Sequence, residues 1–298
     1  MKAVLGVDLE NRWRKSAHFL KAMNYADLEV RLVHAVRSMM PDGQFPAVGP
    51  MHPYGQLIAG LEQYGRGELA KADDFFESAG IPCTTTLHYG DPSQALDQEA
   101  DDLHADLMVV AAERKSSFGH LFFGSVAKGV LIGASHSVLF AKKEPPEGRG
   151  LKAIFATDHS PYADRCVELL LANPPRSLSR LIVLTADSHT LSMTPLLGSE
   201  YGPLAVEIAP EWSESLPDRN LALTDKLKEL AQVVESRVIE GRAGEVIDEQ
   251  MKLEEADLLI ICAQGHGFLE RVTMGSTSFN QVISSDHSVL VLRLPSVA

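Results

Sequence analysis

The chain repeats itself, and this duplication constrains its fold more than any other feature of the sequence. Four short blocks of the first half recur in the second half, each displaced by 150 or 151 residues. The matched blocks are Lys2–Asp8 with Lys152–Asp158, Ala105–Ala112 with Ala256–Ala263, Gly124-Ser125 with Gly275-Ser276, and His136–Leu139 with His287–Leu290. Because nearly one spacing holds across the whole chain, we interpret the sequence as a tandem duplication.

A charged segment rich in proline and glycine, residues 142–150, separates the two copies. Such a composition is typical of a linker between domains. We therefore predict one domain over residues 1–143 and a second over residues 151–298. The length of 298 residues is also what two domains of ordinary size require.

Each copy alternates short apolar strands with helices. In the second copy the pattern predicts strands at 151–157, 181–185, 237–239, 258–262 and 289–292, and helices at 161–172, 221–235, 244–254 and 276–284. Strands that are apolar on both faces indicate a parallel sheet covered by helices. The predicted fold is α/β, with two tandem doubly wound, mostly parallel five-stranded sheets of the Rossmann-like kind. Ligands in such folds bind beyond the carboxyl ends of the strands.

Two long irregular stretches, Met39–Gly55 and Asp187–Asn220, each follow the second strand of their copy. Loops of this length are usually functional or disordered. They could serve as lids over a ligand or as interaction surfaces, and no residue in either stretch decides between these two roles.

The composition restricts the kinds of partner that we expect the protein to bind and the cellular compartment in which we expect it. With 27 Lys+Arg against 40 Asp+Glu the net charge is -13, whereas nucleic-acid binding needs a basic face. The longest apolar runs fall far short of the about 20 residues that a membrane span needs, and the N-terminus has no signal-peptide pattern. Cys83, Cys166 and Cys262 are far apart and form no C-x-x-C pair, which predicts reduced thiols. We expect a cytoplasmic protein with no membrane and no nucleic-acid partner.

The segment from Cys262 to Thr277 carries the strongest local signal. It leaves a strand, passes Gly265 and Gly275, and enters a helix at Ser276. Glycines let backbone N–H groups approach a ligand, and a helix N-terminus adds donors and the positive end of its dipole. The segment therefore favours a phosphate-binding cradle. An ordinary strand-to-helix loop, with glycine and serine serving only the turn and the cap, is the alternative.

The tandem halves, the Asp that closes each first strand and this strand–loop–helix segment together resemble the universal stress protein family in its two-domain form. The nucleotide motif of that family is G-x2-G-x9-G-[ST]. The second copy matches it at Gly265 and Gly275-Ser276, with Cys262 in place of the first glycine. The first copy keeps Gly124-Ser125 but has Ala111 and Arg114 at the other two positions. We therefore expect one competent site in the second copy and a blocked, degenerate site in the first.

The resemblance implies an adenine nucleotide alpha hydrolase-like fold that binds ATP or AMP, with Mg²⁺ as an accompanying ion. The second domain would hold the nucleotide as a regulatory or structural ligand of a stress-response protein. The implied site residues are Ala156, Thr157, Asp158 and Ala186 on the nucleoside side, Cys262 at the strand end, and Gly265, Gly275, Ser276 and Thr277 at the phosphates. The resemblance also implies that the last strands of the two copies pair, which would make the chain an intramolecular pseudo-dimer.

A nucleotide-independent role in the same family is the alternative, with the acidic surface and the long loops binding a protein partner. The loss of glycine at Cys262 favours that role, and Asp158 with Gly275 favours nucleotide binding. No general base, metal cluster or nucleophile stands beside the cradle in the sequence, so we expect no enzyme, although slow ATP hydrolysis would be compatible with these residues. Whether two chains associate further cannot be read from the sequence.

The remaining chemistry-bearing residues have ordinary interpretations. We expect His34, near the end of an apolar strand, to be a buried and hydrogen-bonded histidine, and the acidic pairs Asp73-Asp74 and Asp101-Asp102 to be solvated surface. Two alternatives are a reactive thiol at Cys262 and a metal site assembled from distant histidines such as His52 and His189.

Overall fold

The computed structural model of the chain describes residues 1–38, 51–112, 114–115, 122–188, 202–264 and 274–294. It divides into two units. The second unit is Pro146–Leu292, and the first is Met1–Pro145 together with the residues from Arg293 onward.

The first unit is a five-stranded parallel sheet with helices between its strands. Its strands are β1 (Lys2–Gly6), β2 (Glu29–Val36), β3 (Cys83–Tyr89), β4 (Leu107–Ala111) and β7 (Ser137–Ala141), and its helices are α1 (Trp13–Met23), α2 (Pro53–Ser78), α3 (Pro92–Leu103) and α4 (Ser125–Gly133). The strand order is β7-β4-β1-β2-β3, all parallel. Two short strands, β5 (Arg114–Lys115) and β6 (Phe122–Phe123), form a separate antiparallel pair.

The second unit repeats this architecture. Its elements are β8 (Leu151–Ala156), α5 (Pro161–Ala172), β9 (Leu178–Asp187), α6 (Gly202–Leu227), β10 (Ala231–Glu240), α7 (Ala243–Leu253), β11 (Leu258–Cys262), α8 (Ser276–Ser284) and β12 (Ser288–Leu292). The order is β12-β11-β8-β9-β10, again all parallel. The prediction of two doubly wound parallel sheets is confirmed.

The duplication extends to single hydrogen bonds. The Lys2 amide donates to the Asp106 carboxylate, and the Lys152 amide donates to the Asp257 carboxylate, both at 2.8 Å. The first unit therefore serves as a template for comparing each position of the second.

The strands form because their side chains are apolar on both faces and are covered on both. Ala3, Val4 and Leu5 of β1 have no exposed surface, and every residue of β11 and β12 is buried. Helix starts are fixed by local chemistry: Pro161 occupies the first turn of α5, and the Ser160 hydroxyl accepts a hydrogen bond from the Ala163 amide at 3.2 Å. This cap sets the point where the chain leaves the carboxyl edge of the second sheet.

The helix predicted at 221–235 is wrong in its second half. Helix α6 ends at Leu227, and residues 231–235 begin strand β10, which pairs with β9 from Ala231↔Leu178 to Glu240↔Asp187. The leucines at helical spacing end at Leu230. Val233 and Val234 favour a strand, and pairing along β9 fixes residues 231–235 in that conformation.

The irregular stretch expected over Asp187–Asn220 is also corrected. Asp187 is the last residue of β9, and α6 begins at Gly202, so most of this stretch is helical. Residues 189–201 lie outside the described residues, as do 39–50 of Met39–Gly55, and helix α2 begins at Pro53. The choice between lid and interaction surface stays open for both segments.

Among the described residues no helix is long and apolar enough to cross a membrane. The pairing of the last strands of the two copies stays a prediction.

Candidate functional site

A cavity of about 660 Å³ opens at the carboxyl edge of the first sheet. It lies where the strand order reverses between β1 and β4, and the N-terminus of α4 closes one side with Gly124 and Ser125. Doubly wound sheets place their ligands at such a switch point, beyond the carboxyl ends of the strands. The cavity therefore lies at the position where doubly wound folds usually bind their ligands.

The lining of this cavity contains the first-unit counterparts of the site predicted for the second unit. Sequence offset and strand register pair Gly6 with Ala156, Val7 with Thr157, Asp8 with Asp158, Ala35 with Ala186, Ala111 with Cys262, Gly124 with Gly275, Ser125 with Ser276, and Val126 with Thr277. Gly265 lies outside the described residues, and so does the side chain of its counterpart Arg114. Eight of the nine predicted positions thus have counterparts around one pocket in the first unit.

The aspartate that closes the first strand has different partners in the two units. Asp8 accepts from the Arg12 amide at 2.9 Å and forms an ion pair with the Arg12 side chain at 2.8 Å. Asp158 instead accepts from the Ser160 amide at 3.0 Å, in the turn that leads to α5. In the first unit the Asp8 carboxylate forms an ion pair with Arg12. In the second unit the Asp158 carboxylate accepts a hydrogen bond that stabilises the turn before α5.

A buried polar network follows Asp158 in the second unit. His159 has a φ of +55° and is 4% exposed. Its Nε2 lies 3.1 Å from the Thr185 hydroxyl, which in turn donates to the Asn220 side-chain oxygen at 2.9 Å. The Arg219 guanidinium donates to the His159 carbonyl at 2.7 Å. Burial, together with the nearby Arg219 charge, lowers the pKa of His159, so this edge carries a neutral imidazole at neutral pH.

Sequence reasoning did not single out this network. The polar run Asp158-His159-Ser160 directly after a buried strand was the available signal, but the partners Thr185 and Asn220 are distant in the sequence. Asn220 also donates to the Val183 carbonyl at 2.9 Å, so its amide ties α6 to β9.

In the first unit a histidine occupies the strand position that Thr185 occupies in the second unit. His34 occupies the register position of Thr185, and its Nδ1 lies 2.8 Å from the Val7 carbonyl oxygen. Gly65 of α2 faces the ring, so closely that a Cβ on that glycine would stand 2.3 Å from His34 Cδ2. The prediction of a buried, hydrogen-bonded His34 is confirmed.

The N-terminus of α8 forms the other side of the second-unit edge. The Gly275 amide donates to the Ala263 carbonyl at 2.7 Å, and within the described part of the chain no side chain caps α8. Ser276 is exposed and Thr277 half-buried, and the Ser278 hydroxyl donates to the Cys262 carbonyl at 2.7 Å. The first-turn amides carry the partial positive charge that favours an anion.

The surroundings of Cys262 disfavour the alternative of a reactive thiol. It is 7% exposed, and contact with the Cys166 thiol, together with burial, raises its pKa well above the ordinary value. A thiol that resists ionisation is a poor nucleophile. All three cysteines are free, as the sequence predicted.

Local contacts or solvent exposure account for the other candidate groups that the structure describes. Among the described residues no group of three or more His, Cys, Asp or Glu side chains could hold a metal ion. The His52 side chain accepts from the Tyr54 amide at the start of α2, and His189 lies outside the described residues. Asp74, Asp101 and Asp102 are exposed, as expected, while Asp73 accepts a hydrogen bond from the Cys83 thiol at 2.9 Å.

Comparison of the sequence with known proteins finds similarity to universal stress proteins in both halves of the chain. A sequence profile of the universal stress protein family matches residues 15–142 and 151–293. A universal stress protein of Methanocaldococcus jannaschii is 28% identical over 130 residues, covering 44% of this chain and 74% of that protein.

Two solved structures share the fold over almost the whole chain. A universal stress protein of Archaeoglobus fulgidus superposes with a TM-score of 0.66 at 16% identity and covers 98% of both chains. A protein of unknown function from Pseudomonas aeruginosa gives a TM-score of 0.60 at 14% identity, covering 98% of this chain and 92% of the other. The family profile matches both halves of the duplicated sequence, so the chain belongs to the universal stress protein family, in a tandem two-domain form.

Proposed function

We propose that this chain binds an adenine nucleotide, ATP or AMP, at the carboxyl edge of the second unit. The observation that carries the proposal is the first-unit cavity, because counterparts of eight proposed site residues line it. A duplicated domain whose first copy has a pocket at these positions supports a ligand site at the same positions of the second copy.

The second-unit residues suit a nucleotide better than their first-unit counterparts do. Thr157 and Thr277 stand where the first unit has Val7 and Val126, and hydroxyls can hydrogen-bond ribose or phosphate oxygens. The N-terminus of α8, which begins after Gly275, supplies amides for phosphate. In this proposal Ala156 and Ala186 line the nucleoside side with Asp158, and Gly265, Gly275 and Ser276 lie at the phosphates. Mg²⁺ would accompany the phosphates.

The proposed role is that of a regulatory or structural ligand in a cytoplasmic stress-response protein. The buried His159 is hydrogen-bonded to Thr185, and the Cys262 thiol resists ionisation, so neither supports rapid ATP hydrolysis. We therefore propose a ligand-binding protein rather than an enzyme.

The test introduces an aspartate at the exposed first residue of α8, which borders the proposed nucleotide site, and at that of α4, which borders the first-unit cavity. In Ser276→Asp a carboxylate would stand beside the phosphates, and we expect the ATP affinity measured by calorimetry to fall at least tenfold. Ser125→Asp is the matched control, because Ser125 is also exposed and begins α4 in the first unit. An acidic residue in the first helical turn favours the helix dipole, so both variants should remain folded.

Nucleotide retained by the purified protein gives a second measurement. The protein is denatured, and adenine nucleotide in the supernatant is quantified by chromatography and mass spectrometry. About one equivalent per chain, lost in Ser276→Asp and kept in Ser125→Asp, supports the proposal. Binding abolished only by Ser125→Asp would place the nucleotide in the first unit. No retained nucleotide and no binding at millimolar ATP would reject the proposal and favour the protein-interaction role.

A further inference from the structure

We infer that the first-unit cavity holds an uncharged, mainly apolar small molecule and is not a second nucleotide site. The inference concerns a different unit from the proposed nucleotide site and does not depend on it. It rests on the size of the cavity, on its apolar walls and on the ion pairs at its charged groups.

The size and walls of the cavity suit a small organic molecule. Pockets of about 300–1,000 Å³ accommodate drug-sized ligands, and this one measures about 660 Å³. Its apolar walls come from strands β2, β4 and β6 and from helices α2 and α3. They include Val33, Val36, Leu61, Leu96, Val110 and Phe123. A ligand with a large apolar surface gains most from leaving water for such walls.

The two arginines among the described residues that line the cavity already form ion pairs with carboxylates. Arg12 contacts Asp8 at 2.8 Å and Glu10 at 3.3 Å, and Arg37 contacts Asp91 at 3.1 Å. Among the described residues that line the cavity, both arginines are therefore neutralised by carboxylates. A triphosphate placed here would meet Asp8 and Glu10 without an unpaired arginine from those residues, and like charges at short range repel. An uncharged ligand avoids this repulsion.

Two substitutions between the copies remove hydroxyl groups from the first-unit cavity. Val7 and Val126 line it where the second unit has Thr157 and Thr277. Each change removes a side chain able to hydrogen-bond a ribose or phosphate group. The N-terminus of α4, which no side chain of the described residues caps, still offers amides to one acceptor group of the ligand, such as a carbonyl or ether oxygen.

The experiment uses the full chain and N-phenyl-1-naphthylamine, an uncharged dye that fluoresces in apolar surroundings. We expect saturable binding of one dye per chain. Ala35→Trp fills the cavity and should weaken binding at least tenfold. Ala186→Trp, the matched change in the second unit, should leave dye binding unchanged. Dye binding that is equally sensitive to both variants, or to neither, would overturn the inference.

A second variant covers the case in which Ala35→Trp fails to fold. Val126→Asp adds a carboxylate to the cavity wall in the first turn of α4, where the helix dipole favours it. It should weaken dye binding at least tenfold and leave ATP affinity unchanged.

Competition then decides between charged and uncharged ligands. Millimolar ATP should not displace the dye, and displacement of the dye by ATP from the wild-type chain would overturn the inference. Displacement by adenosine would also overturn it, because ribose is polar and this cavity has Val7 and Val126 in place of the two threonine hydroxyls that could hydrogen-bond it. Failure of ATP to bind anywhere would reject the nucleotide proposal alone, because the dye reports only on the first unit.

Discussion

Glu99 joins three elements of the first unit through an ion pair with an arginine and a hydrogen-bond contact with a histidine. From α3 its carboxylate contacts Arg31 of β2 at 2.8 Å and His88 of β3 at 2.6 Å, and the residue is 6% exposed. Burial opposes its ionisation, but the hydrogen bonds from His88 and Arg31 outweigh that effect and lower the pKa of Glu99. The folded state therefore holds this carboxylate in its charged form.

We predict that Glu99→Gln destabilises the protein by about 1–3 kcal/mol at pH 7, because it leaves Arg31 and His88 without their buried partner. A lowered folded pKa means that the stabilisation is complete above the unfolded pKa and is lost as the pH falls through the folded value. The difference between wild type and variant should therefore shrink as the pH falls below 4.5. Urea unfolding at pH 7, 5 and 3.5 measures it.

Glu245→Gln is the control for that experiment. Glu245 lies 3.8 Å from Arg242 at the start of α7, and both side chains are about three-quarters exposed, so this pair should contribute little to stability. A pH-independent loss in Glu99→Gln, equal to that in Glu245→Gln, would contradict the role assigned to the Glu99 cluster.

At the scale of elements, the contact between α2 and β2 tolerates no side chain at Gly65. A Cβ there would lie 2.3 Å from His34 Cδ2 and 2.6 Å from its Nε2. We predict that Gly65→Ala destabilises the protein by about 1–3 kcal/mol, the usual range for overpacking a core. Thermal unfolding followed by circular dichroism measures the loss.

Gly67 provides a matched control two residues further along α2. A Cβ at Gly67 meets no atom within 4 Å, so Gly67→Ala should stabilise the helix by up to about 1 kcal/mol. The prediction for Gly65 fails if both alanine variants have the same melting temperature.

Some elements could be predicted from the sequence to the residue and others could not. Helices α5 and α8 and strand β11 match their predicted bounds, because a proline, a Gly-Ser step or a continuous apolar run marks their ends. Residues 231–235 were mispredicted because only pairing with β9 makes them a strand. Strands β5 and β6, of two residues each, carry no periodicity that a sequence pattern could reveal.

The candidate site was predictable in position but not in detail. Duplication and the glycine motif pointed to the carboxyl edge, where the first-unit cavity lies. The pairs His34 with Gly65 and Thr185 with Asn220 join residues 31 and 35 positions apart, and only the folded chain brings them together. The expectation that the first copy lacks a nucleotide site stays a prediction, although its edge is an open cavity rather than a filled one.

At the scale of the whole molecule, the net negative charge of the protein disfavours binding to nucleic acids. The net charge is -13, and DNA binding depends on neutralising phosphates with lysine and arginine. We predict no measurable binding of a fluorescent DNA duplex in anisotropy titrations at 100 mM salt. A salt-dependent micromolar affinity would show that a local basic surface overcomes the overall charge.

The interface between the second strand and the long helix also restricts how the copies could diverge. At the 151-residue offset His34 corresponds to Thr185, and Gly65 corresponds to Leu216. A chain with histidine on the strand and leucine on the helix is disfavoured, because even a Cβ at the Gly65 position collides with the His34 ring. A gene history that leads from the threonine–leucine pair to the histidine–glycine pair should therefore pass through threonine with glycine, so that the glycine precedes the histidine.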